Sequence, residues 1–392
     1  MARQQPRPGE AQALSAGVMA SSKMSGPRRY YVGFNLVRGV GAVRLASLIS
    51  HFGDAKSAWN AKADELRAAG LGPKTVARMM AVRQDVDLEA LEARILEQGV
   101  TILISEDDGY PARLRDIEQP PPVLYVRGEW LPEDEFAVAI VGTRRMTAYG
   151  RQITEQMAAI LAGSGVTVIS GLARGVDAAG HRAALEAGGR TAAVLGSGVD
   201  RIYPPENRPL ADRIIEHGAI LSDYPLGTAP ESSNFPPRNR IIAGLSMATV
   251  VVEAGDTSGA LITAEFAAEQ GRDVFAVPGS ILAPQSRGTN RLIQNGALPL
   301  LTPDDLLQAL DLKRAGQQQA ARHVLPANDV ERQLMESLGS EPLHVDELGN
   351  RTGLPVAKVS AALVMMELKG MVRHMGGMQY AVVREVQSGY PA

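Results

Sequence analysis

Phe136-Ala137-Val138-Ala139-Ile140-Val141-Gly142-Thr143-Arg144-Arg145 is an unbroken apolar run that ends in a glycine, a hydroxyl and two arginines. A run without polar alternation fits a strand covered on both faces, the form strands take in parallel sheets. Outward along the chain, similar runs recur at Val166–Ile169, Thr191–Leu195, Ala219–Leu221, Ala248–Val252 and Val274–Val277. Helical stretches lie between most of them, beginning near Thr147, Gly175, Glu206, Ser258 and Thr289. Strand and helix in regular alternation predict a Rossmann-like α/β domain over residues 136–310.

The ends of these strands share one chemistry. Gly142 lets the backbone approach an anion, Thr143 offers a hydroxyl, and Arg144 and Arg145 offer guanidinium groups. The second strand ends in Ser170-Gly171-Leu172-Ala173-Arg174-Gly175-Val176-Asp177, and the third in Leu195-Gly196-Ser197-Gly198. Gly255-Asp256-Thr257-Ser258-Gly259-Ala260 follows the fifth and opens a helix, a further glycine-bearing cradle for an anion. Open α/β sheets bind their ligands along this edge. Between two strands sits Asn234-Phe235-Pro236-Pro237-Arg238-Asn239-Arg240, an aromatic residue flanked by asparagines and arginines. The two prolines predict a stiff, extended loop there. An exposed ring suits a nucleobase face and arginines suit phosphate oxygens. The candidate binding residues are therefore Gly142, Thr143, Arg144, Arg145, Ser170, Gly171, Arg174, Gly175, Asn234, Phe235, Arg238, Asn239, Arg240, Ser258 and Gly259.

Several chemistries are not supported. The Gly142 turn is no GxGxxG fingerprint and lacks the acidic residue that would hold a ribose, which argues against a dinucleotide. No serine sits in a GxSxG elbow. Glu253 is the best lone general base, and its expected role is to bond neighbouring amides or an arginine. Asp177 and His181 stand four apart on a helix but lack a third ligand, so capping and packing are expected of them. No catalytic residue, metal or cofactor is expected.

Composition sets wider limits. A chain of 392 residues calls for two or three domains. With 45% hydrophobic and 21% charged residues it has an ordinary globular balance. The absence of cysteine rules out disulfides and thiolate metal sites. No apolar run reaches membrane-spanning length and the first thirty residues carry no leader-like core, so a cytoplasmic location is expected. A net charge of -3 confines any nucleic-acid site to a local patch.

Residues 1–27 are polar and aperiodic, and predict a disordered tail. Residues 28–100 carry short helical patterns punctuated by Gly39-Val40-Gly41 and Gly70-Leu71-Gly72, the form of helix-hairpin-helix turns. Such turns either bind a DNA backbone or simply pack helices. Residues 101–135 predict a strand and an extended connector, residues 311–326 a linker, and residues 327–385 a winged helix. Between Asn328 and Glu385 six Lys or Arg stand against eight Asp or Glu. An acidic winged helix binds duplex phosphates poorly, so a partner-binding or regulatory role is favoured over duplex reading.

These motifs together resemble the DNA-processing protein A family, also called Smf. The resemblance runs through Gly142-Thr143-Arg144, the Ser170–Asp177 segment, Tyr203-Pro204 with Asn207, and Asn234–Arg240. It continues through Ser258-Gly259-Ala260 with Thr263-Ala264, Val277-Pro278-Gly279 and Gly288-Thr289-Asn290. It implies an extended Rossmann-like domain between a helical (helix-hairpin-helix or SAM-like) domain and a winged helix. It further implies a non-enzymatic, dimeric single-stranded DNA binder that protects incoming DNA and delivers the RecA recombinase during natural transformation. Arg144 would be the phosphate-binding arginine and Phe235 the stacking aromatic. Relatives often carry a base inside the Tyr-Pro-x-x-Asn motif, where this chain has Pro205-Glu206; Arg201 or Arg208 would then substitute. The alternative is a nucleotide-processing enzyme similar to the lysine-decarboxylase-like phosphoribohydrolases. The Pro-Gly-Gly-x-Gly-Thr loop expected of those enzymes is missing.

Overall fold

The computed structural model describes residues 26–310, 329–338, 342–368 and 371–382. The expected tail, apart from Gly26 and Pro27, and the expected linker lie outside the described residues. The chain divides into two compact units, Met1–Pro303 and Asp304–Ala392.

The first unit is built on a nine-stranded sheet in the order β1-β2-β6-β5-β4-β3-β7-β8-β9. Its central strands are β3 (Ala137–Val141), β4 (Thr167–Ser170), β5 (Thr191–Val194), β6 (Gly218–Ser222), β7 (Ala248–Val251) and β8 (Asp273–Ala276). All pair in parallel, as does the short edge strand β9 (Leu298–Pro299). From β3 the chain winds outward through β4, β5 and β6, then crosses back to place β7 on the other side of β3. The β3–β7 boundary is therefore the switch point, where two diverging connections open a crevice beyond the strand ends.

Period-two alternation puts Ala192 and Val194 on one face of the sheet and Ala193 and Leu195 on the other. Helices α9 (Val176–Glu186) and α10 (Arg208–His217) cover the second face, with Ala178, Leu210 and Ile214 in its core. Helices α11 (Phe235–Gly244) and α12 (Gly259–Glu269) cover the first through Ile241, Ile242, Ala260 and Ala264. Helix α8 (Ala148–Gly163) precedes β4, and α13 (Arg287–Gln294) precedes β9.

The segment expected as a strand and an extended connector supplies two strands to the sheet. β1 (Val100–Ile104) pairs antiparallel with β2 (Val123–Gly128), with the short helix α7 (Ala112–Arg115) between them in the chain, and β2 pairs antiparallel with β6. The N-terminal helices α1 (Arg28–Leu36) to α6 (Leu88–Glu97) pack into the same core as these strands. There Phe34 meets Trp59 edge-on at 5.1 Å, and Tyr125 donates a hydrogen bond to Asn35.

The structure also corrects the loop expected at Asn234–Arg240. Phe235 begins helix α11, with Pro236 and Pro237 in its first turn. Proline is tolerated there because first-turn amides have no partner within the helix, and its fixed φ already suits a helix. The helix then turns Arg238, Asn239, Ile241 and Ile242 into the protein.

The second unit is a winged helix. Helices α14 (Asp329–Ser337), α15 (Val345–Thr352) and α16 (Val356–Leu368) enclose Leu334, Leu348, Val359, Leu363 and Met366. Strands β10 (Leu343–His344), β11 (Val372–Gly376) and β12 (Gln379–Val382) form an antiparallel sheet in the order β10-β12-β11. Gly376 and Gly377 turn the wing at φ values of 92° and 57°, backbone that glycine adopts without strain.

Candidate nucleic-acid interface

A cavity of about 460 Å³ opens at the switch point. Its walls include Gly142, Thr143, Arg144 and Arg145 from the end of β3, Thr257, Ser258 and Gly259 from the start of α12, and Phe235, Arg238 and Asn239 from α11. Strand ends, a helix start and arginines thus meet as a setting for anions. Arg144 and Arg145 are exposed, and neither forms an ion pair among the described residues.

The floor is braced from below. Thr143 donates its amide to the Glu253 carbonyl at 2.7 Å. The Glu253 carboxylate accepts the Thr147 amide at 2.9 Å and the Thr147 hydroxyl, tying β7 to the start of α8. A Cβ at Gly150 would lie 2.3 Å from that carboxylate, so only glycine fits there. Glu253 is a buried clamp between elements, with each carboxylate oxygen engaged by Thr147.

Phe235 is the centre of the aromatic and cationic cluster. The Arg144 and Arg238 guanidiniums each lie 5.7 Å from its ring centroid. The Tyr203 ring lies 5.8 Å away, tilted by 33°. A Cβ at Gly196 would sit 2.8 Å from the Phe235 ring, so this glycine makes the seat. A second, smaller hollow continues from the cavity past Arg144 and Phe235 to Gly171, Arg174 and Tyr203.

The two arginines on the ring differ in kind. Arg144 reaches solvent, whereas Arg238 is 5% exposed and donates Nη1 to the Gly171 carbonyl at 3.0 Å and to the Val194 carbonyl. Burial lowers its pKa to about 10, with the nearby Asp177 acting against that shift, and it stays charged at neutral pH. The buried Asp177 carboxylate accepts the Gly171 and Ala173 amides at 3.1 and 3.3 Å, while burial pushes its pKa up. Arg238 therefore binds the ends of β4 and β5 together beneath Phe235.

Other expected residues act at one remove or stand apart. Asn239 donates to the Gly259 carbonyl at 3.2 Å and joins α11 to α12. Ser170 is buried and donates to the Ile140 carbonyl at 2.6 Å. Gly175 has φ 74°, and a Cβ there would lie 2.3 Å from the Thr143 carbonyl, so it lets two loops cross closely. Asn234 accepts from the Tyr224 hydroxyl at 3.3 Å and lines neither hollow. Arg240 turns away to Asp223 at 2.9 Å and the Gln119 carbonyl at 3.2 Å. Arg174 lines the second hollow but is paired with Glu206. His181 is buried with Nδ1 on the Thr191 hydroxyl at 2.6 Å, and no group of three or more metal-ligating side chains occurs among the described residues.

Tyr203, Gly196 and Thr257 stand in motifs quoted from the sequence but not among the candidate binding residues. Tyr203 follows β5 and Phe235 follows β6; the two loops are separated in sequence by a helix and a strand, and the side-by-side pairing of β5 and β6 brings their ends together. Its signal was the Tyr203-Pro204 pair, which the motif comparison included without assigning it a contact.

Residues 101–311 match the family model of DNA recombination-mediator protein A, and residues 318–378 match the DprA winged helix domain. The Smf protein of Synechocystis sp. is 37% identical over 399 residues, covering 92% of this chain and 99% of the relative. Smf of Escherichia coli is 36% identical over 349 residues, covering 86% and 93%. Among solved structures, DNA processing protein A of Streptococcus pneumoniae superposes with a TM-score of 0.63 at 34% identity, over 73% of this chain and 98% of the other. That of Helicobacter pylori, solved for its single-stranded DNA binding mode, gives 0.50 at 30% identity, over 55% and 96%.

Proposed function

Since this chain belongs to the DNA recombination-mediator protein A family, we propose that it binds single-stranded DNA along the switch-point edge of its sheet. The observation that carries the reading is the position of Phe235. Its ring is close to both the solvent-facing Arg144 and Tyr203, and it lines a cavity walled also by Gly142, Thr143, Arg145, Ser258 and Gly259. Bases of a single strand stack on the aromatic surface, and flanking phosphates meet Arg144, Arg145 and the start of α12. A base inside a duplex offers no free face to such a ring, which is the source of strand preference.

Binding without bond cleavage is the role this edge supports: its two buried carboxylates, Glu253 and Asp177, are engaged by Thr147 and by the Gly171 and Ala173 amides. As a mediator the protein protects incoming single strands and delivers the RecA recombinase onto them in the cytoplasm. It acts as a homodimer through the sheet unit, where Ile281 and Leu282, 83% and 86% exposed, lie in the loop after β8.

The test is a titration of oligo-dT and of a duplex of equal length at several salt concentrations, with mass measured in parallel. Tighter binding of the single strand, weakening linearly in log salt, supports the reading. Equal affinity for both, or none for either, overturns it.

A further inference from the structure

The second hollow holds two exposed guanidiniums in different states. Arg144 has no ion pair among the described residues, whereas Arg174 donates Nε to the Glu206 carboxylate. Glu206 lies in the 3-10 turn Pro205–Asn207, just after Tyr203 and Pro204. It reaches the loop between β4 and α9 that carries Arg174, a residue lining the hollow. Both side chains are well exposed, at 61% for Arg174 and 49% for Glu206.

A carboxylate and a phosphate present the same feature to a guanidinium, anionic oxygens that accept its N–H groups. An exposed ion pair is weak, because water and salt screen it. Arg174 also has the right place for a phosphate contact, since it shares the hollow with Arg144, Tyr203 and Phe235. We propose that Glu206 is an internal stand-in for a DNA phosphate on Arg174, holding that contact in reserve and setting the affinity of the site. The inference rests on the single-strand reading. It goes beyond that reading by making an acidic residue, remote in sequence from the phosphate-binding loops, the determinant of how many phosphates are engaged.

The experiment compares the full-length wild type with Glu206→Gln, Arg174→Ala and the double variant, each titrated with oligo-dT from low to high salt. Glu206→Gln is expected to bind about two- to fivefold tighter at moderate salt. Its slope of log affinity against log salt is expected to steepen by about 0.7, the value for one added single-strand phosphate. Arg174→Ala alone is expected to weaken binding by no more than about twofold, since the contact it removes is an exposed one already occupied. In the double variant the steeper slope is expected to return to the wild-type value. A wild-type slope in Glu206→Gln overturns the proposal while leaving single-strand binding intact. So does a steeper slope that persists without Arg174, because the gain would then come from removing a negative charge. A wild type that fails to bind oligo-dT removes the underlying reading and the proposal with it.

Discussion

Tyr203 and Phe235 stand with ring centroids 5.8 Å apart and planes tilted by 33°, although one follows β5 and the other opens the helix after β6. The pair forms a continuous aromatic surface whose Tyr203 end is 37% exposed. Replacing either ring by leucine keeps apolar bulk and removes the π-face. Each substitution is expected to weaken oligo-dT binding by about 1–3 kcal/mol, the usual worth of one stacked base. Neither changes the charge, so the salt slope is expected to stay at the wild-type value. A normal affinity for Phe235→Leu would remove the ring from the binding surface.

Gly196 gives an independent check on the same ring. Any side chain here meets the Phe235 ring at 2.8 Å, so the ring must move. Gly196→Ala is expected to lower oligo-dT affinity severalfold while far-ultraviolet circular dichroism stays unchanged. Binding at the wild-type level, with the ring shown to be displaced in a crystal structure, would count against a role for ring position.

How much of this was legible depends on the element. The six central parallel strands could be read because each is a short, nearly unbroken apolar run, the mark that burial in the middle of a sheet leaves. Helix α11 was hidden because Pro236 and Pro237 favour both a stiff loop and a helix start; the deciding evidence is the apolar pair Ile241 and Ile242 one turn later. The strand β2 was hidden behind Pro120-Pro121-Pro122, which reads as connector. At the site, Arg144 and Arg238 look alike in sequence, and only burial separates them. The Arg174–Glu206 pair spans 32 positions and is created by the packing of two loops.

Buried His181 carries a pH dependence. The Thr191 hydroxyl donates to the Val168 carbonyl at 2.6 Å, so it accepts the His181 Nδ1–H, and Nε2 is left bare and buried. Burial pulls the imidazole pKa down from 6.5 to about 3. Above pH 6.5 the ring is neutral in both folded and unfolded chains and contributes no slope. Below it the unfolded chain takes up a proton that the folded chain refuses, so stability falls until pH nears 3. Between pH 7.5 and 5.5 this amounts to about 1.4 kcal/mol. Urea unfolding of the wild type and of His181→Gln at the two pH values should differ by that amount in pH dependence. An identical loss in both proteins would show that the ring is charged in the fold.

Arg144 and Arg238 both lie 5.7 Å from the centroid of one ring and should fail differently when removed. Arg144 faces solvent without an ion partner, so Arg144→Ala costs the fold little. It removes one phosphate contact, and the salt slope is expected to shrink by about 0.7 along with the affinity. Arg238 is buried and holds the Gly171 and Val194 carbonyls. Arg238→Met leaves both acceptors, and Asp177 beside them, without its charge. Removing one partner of a buried, hydrogen-bonded charge costs about 3–5 kcal/mol. Thermal unfolding should therefore separate the two variants before any DNA is added: Arg144→Ala melts near the wild type, and Arg238→Met melts well below it. If Arg238→Met kept the wild-type melting temperature and lost salt-dependent binding instead, the roles would be reversed, and the buried guanidinium would be the one that meets phosphate.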